Sequence, residues 1–235
     1  MANDYFQFKQ FTIYQGRCAM KVGTDGVLLG SWADLTESKH ILDIGTGTGL
    51  IALMAAQRNS QAQIDAIEID EDACRQALEN VQASPWQNRI NIFHGRIQDF
   101  QPEHSYDTIL CNPPFFEHST PTPLHSRTIA RHCETLTHEE LLQHAKRLLT
   151  PTGKLCVILP VQETTHFIKL SQEKEWFINK LINIFPTPQK QRKRCMLELS
   201  CQKGEYSEED LIIENKRHIY HESFQKLVKD FYLHL

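Results

Sequence analysis

Two hydrophobic rhythms alternate along most of the chain: short runs in which nearly every position is apolar, and longer stretches in which apolar residues recur every three or four positions. The first is the rhythm of a strand buried on both faces and the second that of a helix with one apolar stripe. Their alternation predicts a largely parallel sheet with helices on both faces. The run HILDI at 40–44 predicts a strand, and Gly45-Thr46-Gly47-Thr48-Gly49 turns from it into the helical stretch LIALMAAQR. A second strand is expected over 63–69, a helix over 70–83 with Ala73, Ala77, Leu78 and Val81 on one stripe, a third strand over 89–95 and a fourth over 106–112. The fourth stops at Pro113-Pro114, since proline supplies no ladder donor and restricts the residue before it.

Residues 115–135, rich in Ser, Thr, Pro and His, predict a loop. Thr137-His-Glu-Glu140 has capping-box spacing and predicts a helix over 137–149, closed by Pro151-Thr-Gly153 ahead of a strand over 154–160. A helix over 162–174, strands over 177–185 and 193–201, and a short amphipathic helix over 223–233 follow. The expected architecture is α/β and Rossmann-like, with seven strands, mostly parallel, and an antiparallel last strand. Without an internal repeat or a long linker, the chain is expected to form one domain: an N-terminal segment (1–39), a core (40–201) and a C-terminal extension (202–235).

Composition narrows the function classes. Twenty-five Lys and Arg against 29 Asp and Glu exclude a protein that is basic all over. Residues 1–118 carry 8 basic and 15 acidic side chains and residues 119–235 carry 17 and 14, so a polyanion would prefer the second half. The seven cysteines are scattered without a C-x-x-C pair, which fits neither a disulfide framework nor a zinc module. The opening MANDYFQFKQF lacks a signal-peptide pattern, and no apolar run has the length of a membrane span, so a cytoplasmic protein without a membrane partner is expected.

The turn after the first strand carries candidate chemistry. Its spacing is G-x-G-x-G, with Asp43 two residues ahead of the first glycine, whereas a dinucleotide fingerprint requires G-x-G-x-x-G. An acid aimed into that turn would repel a pyrophosphate and suits a ligand with an ammonium, such as S-adenosylmethionine. Glu68, at the end of the second strand, stands where two ribose hydroxyls would donate to a carboxylate. In motif order, residues 40–200 resemble the class I S-adenosylmethionine-dependent methyltransferases. The resemblance implies that Asp43, Gly45, Thr46, Gly47 and Gly49 contact the methionine part of the cofactor and that Glu68, with Ile69, holds its ribose. It places Ile97, with Arg96 or Asp99, at the adenine edge; members often carry an acid where Arg96 stands here.

Asn112-Pro113-Pro114-Phe115, at the carboxyl end of the fourth strand, is the candidate catalytic motif. An exocyclic or amide amine delocalises its lone pair and is a poor nucleophile. Acceptors at the Asn112 side-chain oxygen and the Pro113 carbonyl would draw its N–H bonds out of plane and free the lone pair for in-line attack. Phe115 and Phe116 offer rings for a planar target to stack on. The motif resembles that of methyltransferases acting on adenine N6, cytosine N4 or glutamine N5.

The segment Phe6-x-Phe8-Lys9-x-Phe11, the run from Met20 to Trp32 (MKVGTDGVLLGSW) and the closing residues near 230–233 resemble the bacterial tRNA(Val) adenine N6-methyltransferase family. That likeness implies methylation of the adenine just 3′ of the anticodon, position 37. It also implies that Lys21, Thr24 and Asp25 cover the cofactor's methionine end, with Asn112 touching cofactor as well as substrate. The alternatives are a release-factor glutamine methyltransferase, which would bring a helical N-terminal domain not seen here, and a module that binds S-adenosylmethionine without turnover. For a tRNA substrate, Lys190, Arg192, Lys193 and Arg194 are candidate phosphate contacts, with Arg127 and Arg131 in the loop after the motif. His118, His125 and His132 lack metal-ligand spacing, so no metal is expected, and no obligate protein partner is inferred.

Overall fold

The computed structural model describes residues 3–18, 20–113 and 136–235. A short hairpin, β1 (Tyr5–Gln7) and β2 (Thr12–Tyr14), precedes α1 (Thr24–Trp32). The alternating region follows: β3 (His40–Ile44), α2 (Leu50–Arg58), β4 (Gln63–Glu68), α3 (Glu71–Gln82), β5 (Ile90–His94) and β6 (Tyr106–Cys111). After the described residues resume come α4 (His138–Leu148), β7 (Leu149–Pro160), α5 (Val161–Glu173), β8 (Phe177–Phe185), β9 (Arg194–Ser200) and β10 (Ser207–Ile212). The chain ends with β11 (Glu214–Lys216), β12 (Ile219–Tyr220) and α6 (Glu222–Val228).

The main sheet has the order β10-β8-β9-β7-β6-β3-β4-β5. All seven expected strands are in it, and β9 is the antiparallel one, pairing with β7 on one side and β8 on the other. The eighth strand, β10, lies parallel to β8 at the edge, so the sheet runs past residue 201 into the expected C-terminal extension. Its sequence SEEDLI has no apolar rhythm because an edge strand needs only one supporting contact and is protected from further pairing by its charges; only Leu211 is buried.

Successive strand residues face opposite layers. Ile41 joins a core with α1, α2, Val81 of α3 and Phe224 of α6, while Leu42 and Ile44 join a second core with Leu142 of α4, Phe167 of α5 and Trp176. Seven consecutive residues of α2, from Leu50 to Ala56, are buried because that helix lies between the sheet and α1. The N-terminal segment divides in two. Phe6, Phe8 and Phe11 pack on Tyr232 and Trp86, and Lys9 N–H donates to Phe231 C=O, so the start of the chain is fastened to its end. Among the described residues of this segment, only Cys18 and others between Met20 and Gly26 reach the cleft described next.

Candidate active site

The cleft opens at the carboxyl ends of β3, β4, β5 and β6 and has a volume of about 350 Å³. Its floor is the turn between β3 and α2. Gly47 adopts φ +55°, and a Cβ there would meet nothing within 4 Å, so this backbone lies open to whatever occupies the cleft. Its N–H donates to Glu68 Oε2 at 2.8 Å, while Asp70 N–H donates to Glu68 Oε1 at 2.9 Å. The Glu68 carboxylate is thus oriented by two backbone donors at the mouth of β4. Gly49, expected at the cofactor, serves helix packing instead. It starts α2 at φ +83°, and its Cβ position is 3.5 Å from Ala77, which lets α3 pack closely.

Asp43 does not line the cleft. It is fully buried in β3 and accepts the Thr46 hydroxyl at 2.5 Å, so it shapes the turn from beneath. Burial pushes its carboxyl up to about 7, opposed by hydrogen bonding from Thr46 and the Ala52 backbone and reinforced by nearby Glu68. Burial likewise raises the Cys111 thiol well above its ordinary range, with Asp43 and Glu68 adding to it, so that thiol stays protonated beside the cleft.

Asn112 and Pro113 follow β6 directly and line the cleft. Asn112 Oδ1 is buried and has no hydrogen-bond partner among the described residues, an acceptor left open. Pro114, Phe115, Phe116, Arg127 and Arg131, together with His118, His125 and His132, lie outside the described residues. Of the lid residues, Lys21 and Asp25 line the cleft and Thr24 does not; beyond β5, Arg96 and Ile97 line it, as does Ile69 after β4, and Asp99 does not. Gln98 and Leu136, which no motif singled out, complete that end.

The basic cluster lies on the turn between β8 and β9. Because β9 runs antiparallel with Arg194 opposite Pro160, this turn stands at the same end of the sheet as the cleft. Arg194 Nε donates to Asp25 Oδ2 at 2.8 Å, whereas Lys190, Arg192 and Lys193 are exposed, Arg192 donating to Asn183 Oδ1 at 2.6 Å through one guanidinium nitrogen. Arg194 therefore ties α1 to the sheet. Since Asp25 and Arg194 are each largely buried, at 20% and 30% side-chain exposure, a double-mutant cycle of Asp25→Asn and Arg194→Gln read by thermal melting should give a coupling of about 1 kcal/mol. Additive effects would show the pair to be incidental.

Among the described residues no helix is long and apolar enough to cross a membrane, and no group of three or more His, Cys, Asp or Glu could hold a metal ion.

The fold is that of the Rossmann-like methyltransferases. It is similar to the crystal structure of a predicted O-methyltransferase from Agrobacterium tumefaciens, with TM-score 0.69 and 17% identity, covering 88% of this chain and 96% of that one. A SAM dependent methyltransferase from Aquifex aeolicus has TM-score 0.53 and 15% identity, covering 71% and 84%. The methyltransferase small domain matches residues 20–175. Relatives from Parabacteroides distasonis and Trichodesmium erythraeum, 44% and 46% identical, each match over 99% of both chains and are named tRNA1(Val) (adenine(37)-N6)-methyltransferase. A relative of the same name from Phocaeicola vulgatus is 46% identical over the whole of both chains. The chain belongs to the methyltransferase small-domain family, in the branch formed by these tRNA1(Val) (adenine(37)-N6)-methyltransferases.

Proposed function

We propose that the protein transfers a methyl group from S-adenosylmethionine to N6 of adenine 37 in tRNA(Val). The observation that carries this reading is the buried Asn112 Oδ1 at the end of β6, without a hydrogen-bond partner among the described residues and in the same cleft as the glycine turn and Glu68. The residues present fit the methyl donor: an open backbone at Gly47, a carboxylate held at Glu68 for a ribose diol, and an apolar slot beyond it. S-adenosylmethionine, when bound, supplies an electrophilic methyl group on a sulfonium.

The chain's own part is to prepare the amine. Asn112 Oδ1 and the Pro113 carbonyl accept the two N–H bonds of the target, withdraw its lone pair from the ring and orient it. No strong base is needed, since the proton leaves after transfer. The same acceptor would serve a glutamine amide, and the names of the full-length relatives favour tRNA over a release factor. An unpaired anticodon-loop base reaches such a cleft without breaking a duplex.

The test is incubation with labelled S-adenosylmethionine and, separately, unmodified tRNA, a release factor and DNA, with the product identified by mass. N6-methyladenosine at position 37 of the tRNA is expected; label on the release factor or on DNA would overturn the reading. With Arg194 paired to Asp25 and Arg192 tethered to Asn183 through one nitrogen, Lys190 and Lys193 are the cations of this turn without a hydrogen-bonded side-chain partner among the described residues. Lys190→Gln with Lys193→Gln should weaken tRNA binding and reduce the slope of log Kd against log salt by about 1–2. An unchanged slope would remove this turn from the interface.

A further inference from the structure

The cleft has a direction set by the sheet order β6-β3-β4-β5: Asn112 stands at one end, the glycine turn and Glu68 lie in the middle, and Gly95 to Gln98 form the other end. The inference rests on the methyl-donor reading proposed above. If the reacting methyl group lies on the Asn112 side and Glu68 takes the ribose, the adenine ring of the donor falls beyond Glu68, after β5. Ile69, Ile97 and Leu136 give that end apolar walls. The 6-amino group of an adenine there needs an acceptor. Of the lining side chains that follow Gly95, Arg96 has only donors and Ile97 has no polar atom; Gln98 carries a carbonyl oxygen.

The orientation of that amide is determined by a neighbour. Gln98 Nε2 donates to Glu140 Oε1 at 3.1 Å, and the reversed amide would set two acceptors against each other. Glu140 is itself fixed, its Oε2 accepting Thr137 N–H at 2.9 Å and the Thr137 hydroxyl at 2.8 Å in the capping box of α4. The Thr137 N–H, then the Gln98 amide and the Arg96 charge hold its carboxyl below the ordinary range, so it remains an acceptor at neutral pH. With Nε2 engaged, Oε1 is the free end of the Gln98 amide, and no described residue donates to it.

We infer that Gln98 is a specificity-determining residue that accepts the 6-amino group of the methyl donor's adenine through Oε1, with Glu140 as the positioning residue that fixes its amide. The test is calorimetric binding of S-adenosylhomocysteine and of its 6-oxo counterpart, S-inosylhomocysteine, to the full chain. Wild type should prefer the amino compound by about ten- to a hundred-fold, because a 6-oxo group faces Oε1 acceptor to acceptor. Gln98→Leu should lose most of that preference by binding S-adenosylhomocysteine about ten-fold more weakly and S-inosylhomocysteine no worse than wild type does. Glu140→Leu, checked for folding by its melting transition, should reduce the preference while still binding both compounds. A wild-type preference that survives Gln98→Leu, or equal binding of both compounds by wild type, would overturn the inference. Failure of wild type to bind S-adenosylhomocysteine at all would instead overturn the reading of the cleft.

Discussion

Asn112→Ala is expected to lower kcat by about a thousand-fold while leaving the Kd for S-adenosylhomocysteine within about three-fold of wild type. The expectation follows from the open valence at Asn112 Oδ1. A buried acceptor without a partner costs about 1–3 kcal/mol in the free protein, a cost returned only when a donor enters. Removing it takes away an acceptor that no described residue engages, so Asn112→Ala should melt at or above the wild-type temperature. Single-turnover methylation, calorimetry and thermal melting on the same preparation separate the possibilities. A collapse of cofactor binding together with activity would place Asn112 in the donor's site rather than at the target amine. A destabilised variant would mean that Oδ1 is satisfied within the fold after all.

Much of this architecture was legible in the sequence where local pattern and tertiary demand coincide. β3 and α2 fall where HILDI and LIALMAAQR predict them, because each is buried along nearly its whole length and bounded by the glycine turn. The capping box at Thr137 was legible for the same reason: both of its reciprocal bonds are local. What pattern could not supply is contact across sequence. Nothing in the charge run at 190–194 distinguishes Arg194, paired with an acid 169 residues away, from Lys193, which faces solvent. The motif reading of Asp43 and Gly49 grouped them with the cleft, yet one lies beneath the turn and the other against Ala77. Strand alternation is uninformative in a strand whose two faces are both buried. Gln98 carries no local signal because its partner is supplied by α4, more than forty residues further on.

The second large effect concerns stability and Asp43. In the unfolded chain its carboxyl titrates near the ordinary 3.8, and in the fold burial raises it to about 7. Between those values the native state keeps a proton that the unfolded chain has released. This contribution to stability is therefore complete below about pH 3.8 and is lost as pH rises through 7, at up to about 1.4 kcal/mol per unit. Asn in its place is neutral at every pH and can still accept the Thr46 hydroxyl. The melting temperature of Asp43→Asn relative to wild type should therefore climb between pH 4.5 and 7 by roughly 10 °C, the equivalent of about 3 kcal/mol, and level off above 7. Groups remote from Asp43 that titrate in this window act on both proteins alike and cancel in the difference. A difference that stays constant from pH 4.5 to 8.5 would mean that Asp43 is ionised in the fold throughout. The turn that floors the cleft would then lie over a buried negative charge in the resting protein, held by charge-assisted hydrogen bonds from the Thr46 hydroxyl and the Ala52 backbone.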